Sequence, residues 1–337
     1  MDKIRVYIQY IIILGITLFL LWLALNRLVS AEGDLDVWQL LMQTWAESDK
    51  TFMLLMALVA MLSHAIRAAR WNLLLTAASH PTSFWKAFHS LMIGYLVNMA
   101  IPRGGELSRC YNLSKLQSTP IEVSLGSVVA ERTIDLLCMF FIILLTFALE
   151  FATIFSLFSG LFETYSITTV SLGKYSLIAV GVTAVAFLLI RLLMRSGKVK
   201  AFFQRFWFGF RAGLLSVFAV KNKATFLLQT LIIWLLYLLM SKFVLMAFPE
   251  TSGLSWGGVM VIFTVGLIAM AIPLPGGAGS YHVLLPLTLI GLYAIPESRA
   301  IAFTFIFHAW QSFILILAGA ISLVASFVLI KWQAQKK

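Results

Sequence analysis

Charge is scarce in this sequence. Only 12% of the 337 residues are Asp, Glu, Lys or Arg, against about 25% in an ordinary soluble domain. Beside 61% hydrophobic residues, that leaves too few polar side chains to coat a water-facing surface, which excludes a soluble globule. Cysteine is sparse too. Cys110 and Cys138 are the two in the chain, and neither belongs to a CxxC or Cys/His ligand pattern, which argues against a disulfide framework or a structural metal. The histidines His64, His80, His89, His282 and His308 are scattered, without the HExxH spacing of a zinc site. The glycine-rich "PGGAGS" lacks the GK[ST] ending of a nucleotide-binding loop. No Ser/His/Asp order is evident, and no cofactor is expected.

What the sequence has instead is long apolar runs, several exceeding the ~18 residues that mark a membrane span. Mean hydropathy is +0.95. Runs of this length predict a polytopic all-α membrane bundle and exclude a β-barrel, which would show short alternating segments. The net charge of +11 is unevenly spread. Between Arg191 and Lys223 lie eight Lys/Arg and no acid, and between Ala31 and Asp49 five acids and no base. This is the positive-inside pattern. The basic segment 191–223, rich in Phe and Trp, suits an anionic lipid surface on the cytoplasmic side. No recognition motif accompanies the charge, so nucleic acid is not an expected partner.

The apolar start, "VYIQYIIILGITLFLLWLALNRLV", is about twice as long as the apolar core of a signal peptide and is read as an uncleaved first span over 6–29. Further spans are expected at 51–70, 121–150, 174–193, 224–248 and 299–330. Span 51–70 is read as ending at a basic cytoplasmic edge, Arg67 and Arg70, with Trp71 as its aromatic anchor. Two more apolar runs are broken. The run 84–101 meets Pro102-Arg103-Gly104-Gly105, and 257–272 meets Pro273-Leu274-Pro275-Gly276-Gly277. If each break is the tip of a re-entrant hairpin, the six remaining spans place both termini in the cytoplasm and every charged loop on its expected side. Broken segments at corresponding places in two halves, 1–150 and 174–330 of one integral-membrane domain, suggest an inverted repeat, although no residue-level identity between the halves is evident.

Irregular backbone at membrane depth is tolerated only inside protein or beside a water-filled cavity. The helix openings there, one near Ser280, would offer N–H groups to an anion; close helix packing is the structural alternative for the glycines. The charges point the same way. Arg103, Glu106 and Arg109 recur at i, i+3, i+6. Glu131 and Asp135, with Arg132 between them, lie one turn apart on the next apolar segment. A charge at the bilayer centre costs about 2.5–3.5 kcal/mol on insertion scales, so cross-helix pairs of Arg103 or Arg109 with Glu131 or Asp135 are expected. The six charges sum to zero. A phosphate is the anion an arginine fork suits best.

"NMAIPRGGELSR", "ERTIDLL" and "PLPGGAGS", together with the earlier "AIRAARWNLLL", resemble in order four elements of the lysylphosphatidylglycerol synthase/flippase transmembrane-domain family, over about residues 10 to 330. The resemblance implies a helical bundle that moves a phosphate-bearing lipid between leaflets of a bacterial-type cytoplasmic membrane. Carried over by position, Arg103, Gly105, Glu106 and Arg109 match the first motif, Glu131, Arg132 and Asp135 the second, and Pro273, Pro275, Gly276, Gly277 and Gly279 the third, with Ser280 beside it. Tyr281 and His282 stand where the family usually has an acid, and His308 where an arginine is expected, which suggests a different lipid. No synthase domain follows in this sequence, so making the aminoacylated lipid is not expected of it. An intramembrane lipid-modifying enzyme using Glu131 or Asp135 as base, or a non-transporting accessory or scaffold membrane protein of a lipid or envelope synthesis pathway, are the other readings, and a lipid-synthesis enzyme is a candidate partner.

Overall fold

The computed structural model describes residues 15, 17–26, 37–153, 155, 207, 211, 215–272 and 274–335. The expected span 174–193, most of the basic segment 191–223, both ends of the first span, and Pro273 lie outside them. Every regular element among the described residues is helical: α1 (Thr17–Asn26), α2 (Val37–Glu47), α3 (Lys50–Ala77), α4 (Phe84–Ala100), α5 (Gly104–Gln117), α6 (Ile121–Leu149), α7 (Ser216–Ala219), α8 (Lys223–Met246), α9 (Pro249–Ser252), α10 (Trp256–Ala271), a 3-10 turn at Pro275–Gly277, α11 (Ser280–Tyr293) and α12 (Glu297–Gln335). Helices α3, α6, α8 and α12 are long and apolar enough to cross a membrane, and each covers one of the expected spans.

The helices begin where the sequence supplies a cap. Asp49 accepts from the Thr51 amide at 2.7 Å to start α3, Asn222 from the Thr225 amide at 3.0 Å to start α8, and Ser255 from the Gly258 amide at 3.2 Å to start α10. Each side-chain oxygen satisfies an amide that has no partner within the helix. The two broken runs end for a different reason. A residue before proline is pushed out of the helical region by the proline ring. Accordingly Ile101, before Pro102, is extended (φ −122°, ψ 107°), and so is Ile272, before Pro273 (φ −68°, ψ 126°).

After each break the chain folds back. Helix α5 packs on α4, and α11 on α10. The arms have 17 and 14 residues in the first hairpin and 16 and 14 in the second, all short of the ~20 that one crossing takes. The second arm of the first hairpin, α5, runs to Gln117. Gly105 lets the first hairpin close: a Cβ there would strike the Gly94 carbonyl oxygen and lie 2.6 Å from the Asn98 side chain. The tips meet, with Met99 of the first against Gly276 of the second.

These tips correct one reading of the sequence. The halves do share residues: Met99-Ala100-Ile101-Pro102 and Met270-Ala271-Ile272-Pro273 are the same tetrapeptide, at the same place in each hairpin. Comparing the two breaks, rather than the two halves, would have found it.

The interior is apolar, as in a soluble protein, but so is the outside. One apolar core joins Met53 and Met56 of α3, Leu245 of α8, Ile262 of α10, Leu285 of α11 and Phe303 of α12; another joins Trp71, Leu91, Met92, Cys110 and Val128. Large apolar side chains nevertheless cover the outside, among them Leu136, Phe140 and Phe141 of α6, Leu227 and Leu231 of α8, and Leu323 and Phe327 of α12. Water would penalise such a surface; lipid does not.

Candidate functional site

The buried charges assemble where α3, α5, α6 and α8 meet. Glu131 of α6, fully buried, stands at the centre. Its Oε1 accepts from Arg67 Nε at 2.6 Å, and its Oε2 from Arg109 Nη2 at 3.0 Å. One turn on, Asp135 accepts from Arg70 Nη2 at 2.6 Å and from Arg67 Nη2 at 2.8 Å. Arg67 thus bridges both carboxylates, as their shared face allows. Its third nitrogen donates to the Tyr237 hydroxyl at 3.1 Å, and Arg70 donates to Thr230 Oγ1 at 3.1 Å. Both of these partners come from α8. The Arg109 guanidinium lies 4.7 Å from the Trp71 ring centroid, a cation–π contact, and Trp71 is fixed in turn by its indole N–H on Ser127 Oγ at 2.9 Å.

This overturns the reading of Arg67, Arg70 and Trp71 as a basic edge with an aromatic anchor. All three are buried, because α3 continues to Ala77 and carries them inside. The partners that make this tolerable are 64 or more positions away in the chain, beyond the reach of a rule based on local charge. The run Leu73-Leu74-Leu75 after Trp71 was the available signal that the helix had not yet reached its end.

The expected pairing of Arg109 with Glu131 is present. Arg103 takes no part in it: it is exposed, at the N-cap of α5, with φ 59°. Glu106 pairs instead with Arg132, at 3.0 Å. Exchanging Arg103 for Arg67 and Arg70 changes the charge count. Four arginines (Arg67, Arg70, Arg109, Arg132) now face three carboxylates (Glu106, Glu131, Asp135), so the cluster carries one positive charge in excess.

That excess borders a cavity. Leu91, Gly94, Tyr95, Asn98, Gly105, Glu106, Arg109 and Arg132 line it, and it is small, with room for about one water molecule. Several polar atoms around it are buried and unpartnered: Arg109 Nε and Nη1, Arg132 Nε, Glu106 Oε2 and the Tyr95 hydroxyl. Buried groups of this kind are nearly always satisfied in a finished structure, so the cavity calls for a hydrogen-bonding occupant.

The third motif lies apart from these charges, at the tip of the second hairpin. Several of its donors are used within the hairpin. Gly277 N–H bonds to the Leu274 carbonyl at 3.1 Å and Ala278 N–H to the Pro275 carbonyl at 2.9 Å. Ser280 Oγ donates to the Ala269 carbonyl at 2.8 Å, and Gly279 N–H points to His282 Nδ1 at 3.4 Å. Gly276, Gly277 and Gly279 have φ of 57°, 75° and 93°, a region that favours glycine. His308 donates to the Gly276 carbonyl at 3.0 Å. In this arrangement Pro275, the glycines and Ser280 shape the turn.

Among the described residues no group of three or more His, Cys, Asp or Glu is placed to hold a metal ion.

Comparison with known proteins agrees with the fold and the motifs. A UPF0104 membrane protein of Methanocaldococcus jannaschii is 30% identical over 87 residues, covering 25% of this chain and 26% of the relative, so the match spans about a quarter of that protein's length. No solved structure matches. The family described as "Lysylphosphatidylglycerol synthase TM region" matches residues 9–319, a stretch that contains both hairpins and every member of the charge cluster; the chain belongs to that family.

Proposed function

We propose that this protein is a lipid transporter, a flippase that moves a phosphate-bearing lipid between the leaflets of the membrane it spans. The observation that carries this reading is the excess positive charge beside a cavity whose arginine N–H groups lack partners. A phosphate oxyanion supplies both the missing charge and the missing acceptors, and the guanidinium fork matches it in geometry. Arg109 and Arg132 are the phosphate contacts. Arg67, Glu131 and Asp135 hold Arg109 in position, and Arg103 stands exposed at the hairpin tip.

The hairpins support transport rather than mere binding. Two broken hairpins with a common Met-Ala-Ile-Pro tip, meeting at Met99 and Gly276, fit an inverted repeat in which one half rocks against the other around a central site. The membrane would be a cytoplasmic one, with both termini on the cytoplasmic side, and an enzyme of lipid synthesis a natural partner. An enzymatic role for Glu131 or Asp135 asks for a carboxylate free to take a proton. Every oxygen of both accepts from an arginine, so this alternative draws less support.

Leaflet exchange in proteoliposomes tests the proposal. Labelled anionic phospholipids and polyprenyl phosphates are compared with a phosphate-free glycolipid of matched chains. The expected result is selective exchange of a phosphate-bearing lipid; equal exchange of the glycolipid contradicts phosphate recognition.

A further inference from the structure

The charge cluster is not uniform, and its unevenness suggests how the cavity admits a ligand. Glu131 and Asp135 have both oxygens engaged, and Arg67 has all three nitrogens engaged. The pair Glu106–Arg132 is joined by a single contact at 3.0 Å. Glu106 Oε2 and Arg132 Nε have no partner. The two side chains are 24% and 39% exposed, whereas Glu131 is 0% exposed. An ion pair this exposed contributes far less than a buried one costs to break, so Glu106–Arg132 is the part of the cluster that opens first.

The cavity also requires an opening. As it stands it has room for about one water molecule, and a phosphate with its ester oxygens is several times larger. Glu106 and Arg132 both line it. Glu106 is in the first turn of α5, directly after Gly104 and Gly105, so it can withdraw with the hairpin tip. Arg132 is anchored on α6 beside Glu131 and stays.

We propose that Glu106 is an exchangeable internal anion. Its carboxylate holds Arg132 Nη2 in the closed arrangement, and the phosphate of an incoming ligand takes its place while Glu131 and Asp135 keep their arginines. The exchange puts one anion where another was and frees Arg132 for two parallel hydrogen bonds to phosphate. This rests on the reading that the protein recognises phosphate. Glu106 then sets affinity by competition and hastens release by returning.

The test is binding to the full-length protein in detergent, by native mass spectrometry. Phosphatidic acid, diacylglycerol of the same chains and inorganic phosphate are titrated against wild type, Glu106→Gln and Arg132→Gln. Wild type prefers phosphatidic acid to diacylglycerol. Glu106→Gln binds phosphatidic acid about fivefold tighter, the factor that corresponds to an exposed pair, with diacylglycerol unchanged; Arg132→Gln binds it more weakly. A gain confined to phosphatidic acid supports exchange with a lipid headgroup, and an equal gain with inorganic phosphate supports exchange with the free anion. Wild type without a preference for phosphatidic acid overturns phosphate recognition and the exchange with it. A wild-type preference with unchanged or weaker binding by Glu106→Gln overturns the exchange alone. Should Glu106→Gln fail to fold, Glu106→Asp, whose shorter arm cannot span the contact, reads the same competition: tighter binding supports the exchange and unchanged binding overturns it.

Discussion

Glu131 shows how a charge survives inside this protein. Alone, a buried carboxylate would cost several kcal/mol. Here Arg67 and Arg109 donate to it directly, and Arg70 lies 3.7 Å away. Removing it would leave those arginines facing one another with only Asp135 to share. We therefore expect Glu131→Gln to lose about 3–5 kcal/mol of stability, seen as a lower thermal unfolding midpoint in detergent; a midpoint equal to wild type would show that the cluster is not structural. Much of this site was legible at the level of residues. Glu131 and Asp135 sit one turn apart in an apolar segment, which by itself announces buried partners. Arg67 and Arg70 were not legible, because a span that ends in arginines and a span that buries them look alike until the partner helix is known. Arg103 misled for the opposite reason: helical spacing linked it to Arg109, but Pro102 breaks the helix and leaves Arg103 exposed at its cap.

At the scale of elements, punctuation made the fold readable. Proline forces the residue before it out of the helix, so both hairpin tips could be placed from sequence alone. The four described long helices likewise follow from the apolar runs. How the arms close was not readable, because it depends on two backbones approaching each other across α4 and α5. Gly94 and Gly105 meet there, with the Gly105 amide held by Asn98 Oδ1 at 2.7 Å. A methyl at position 105 has to push the arms apart. Gly105→Ala should therefore cost about 1–3 kcal/mol, the usual range for overpacking, and should shift the Glu106–Arg132 pair it precedes. Unfolding in detergent checks the first expectation. A wild-type midpoint would mean that the hairpin arms are not closely locked.

For the molecule as a whole, the charged cluster is buried among apolar cores, and apolar side chains also cover the outside. The charged network joins α3, α5, α6 and α8, so it ties the first hairpin to long helices from both halves. The tip of the second hairpin, at Gly276, touches Met99 of the first, next to Asn98 on the cavity wall, and its arm α10 packs on α6 and α8. In the proposed transport cycle a movement of one hairpin tip against the other would reach the cavity, as alternating access around a fixed site requires. The central claim is that Arg132 meets the phosphate of the transported lipid. Its most direct test is the leaflet-exchange rate of a phosphate-bearing lipid in proteoliposomes of wild type and of Arg132→Gln. The variant removes a partly exposed charge, and its folding is checked by the unfolding midpoint. The account predicts at least a tenfold slower exchange, about 1.4 kcal/mol of lost interaction, with the midpoint little changed. Exchange at the wild-type rate in the folded variant would contradict it.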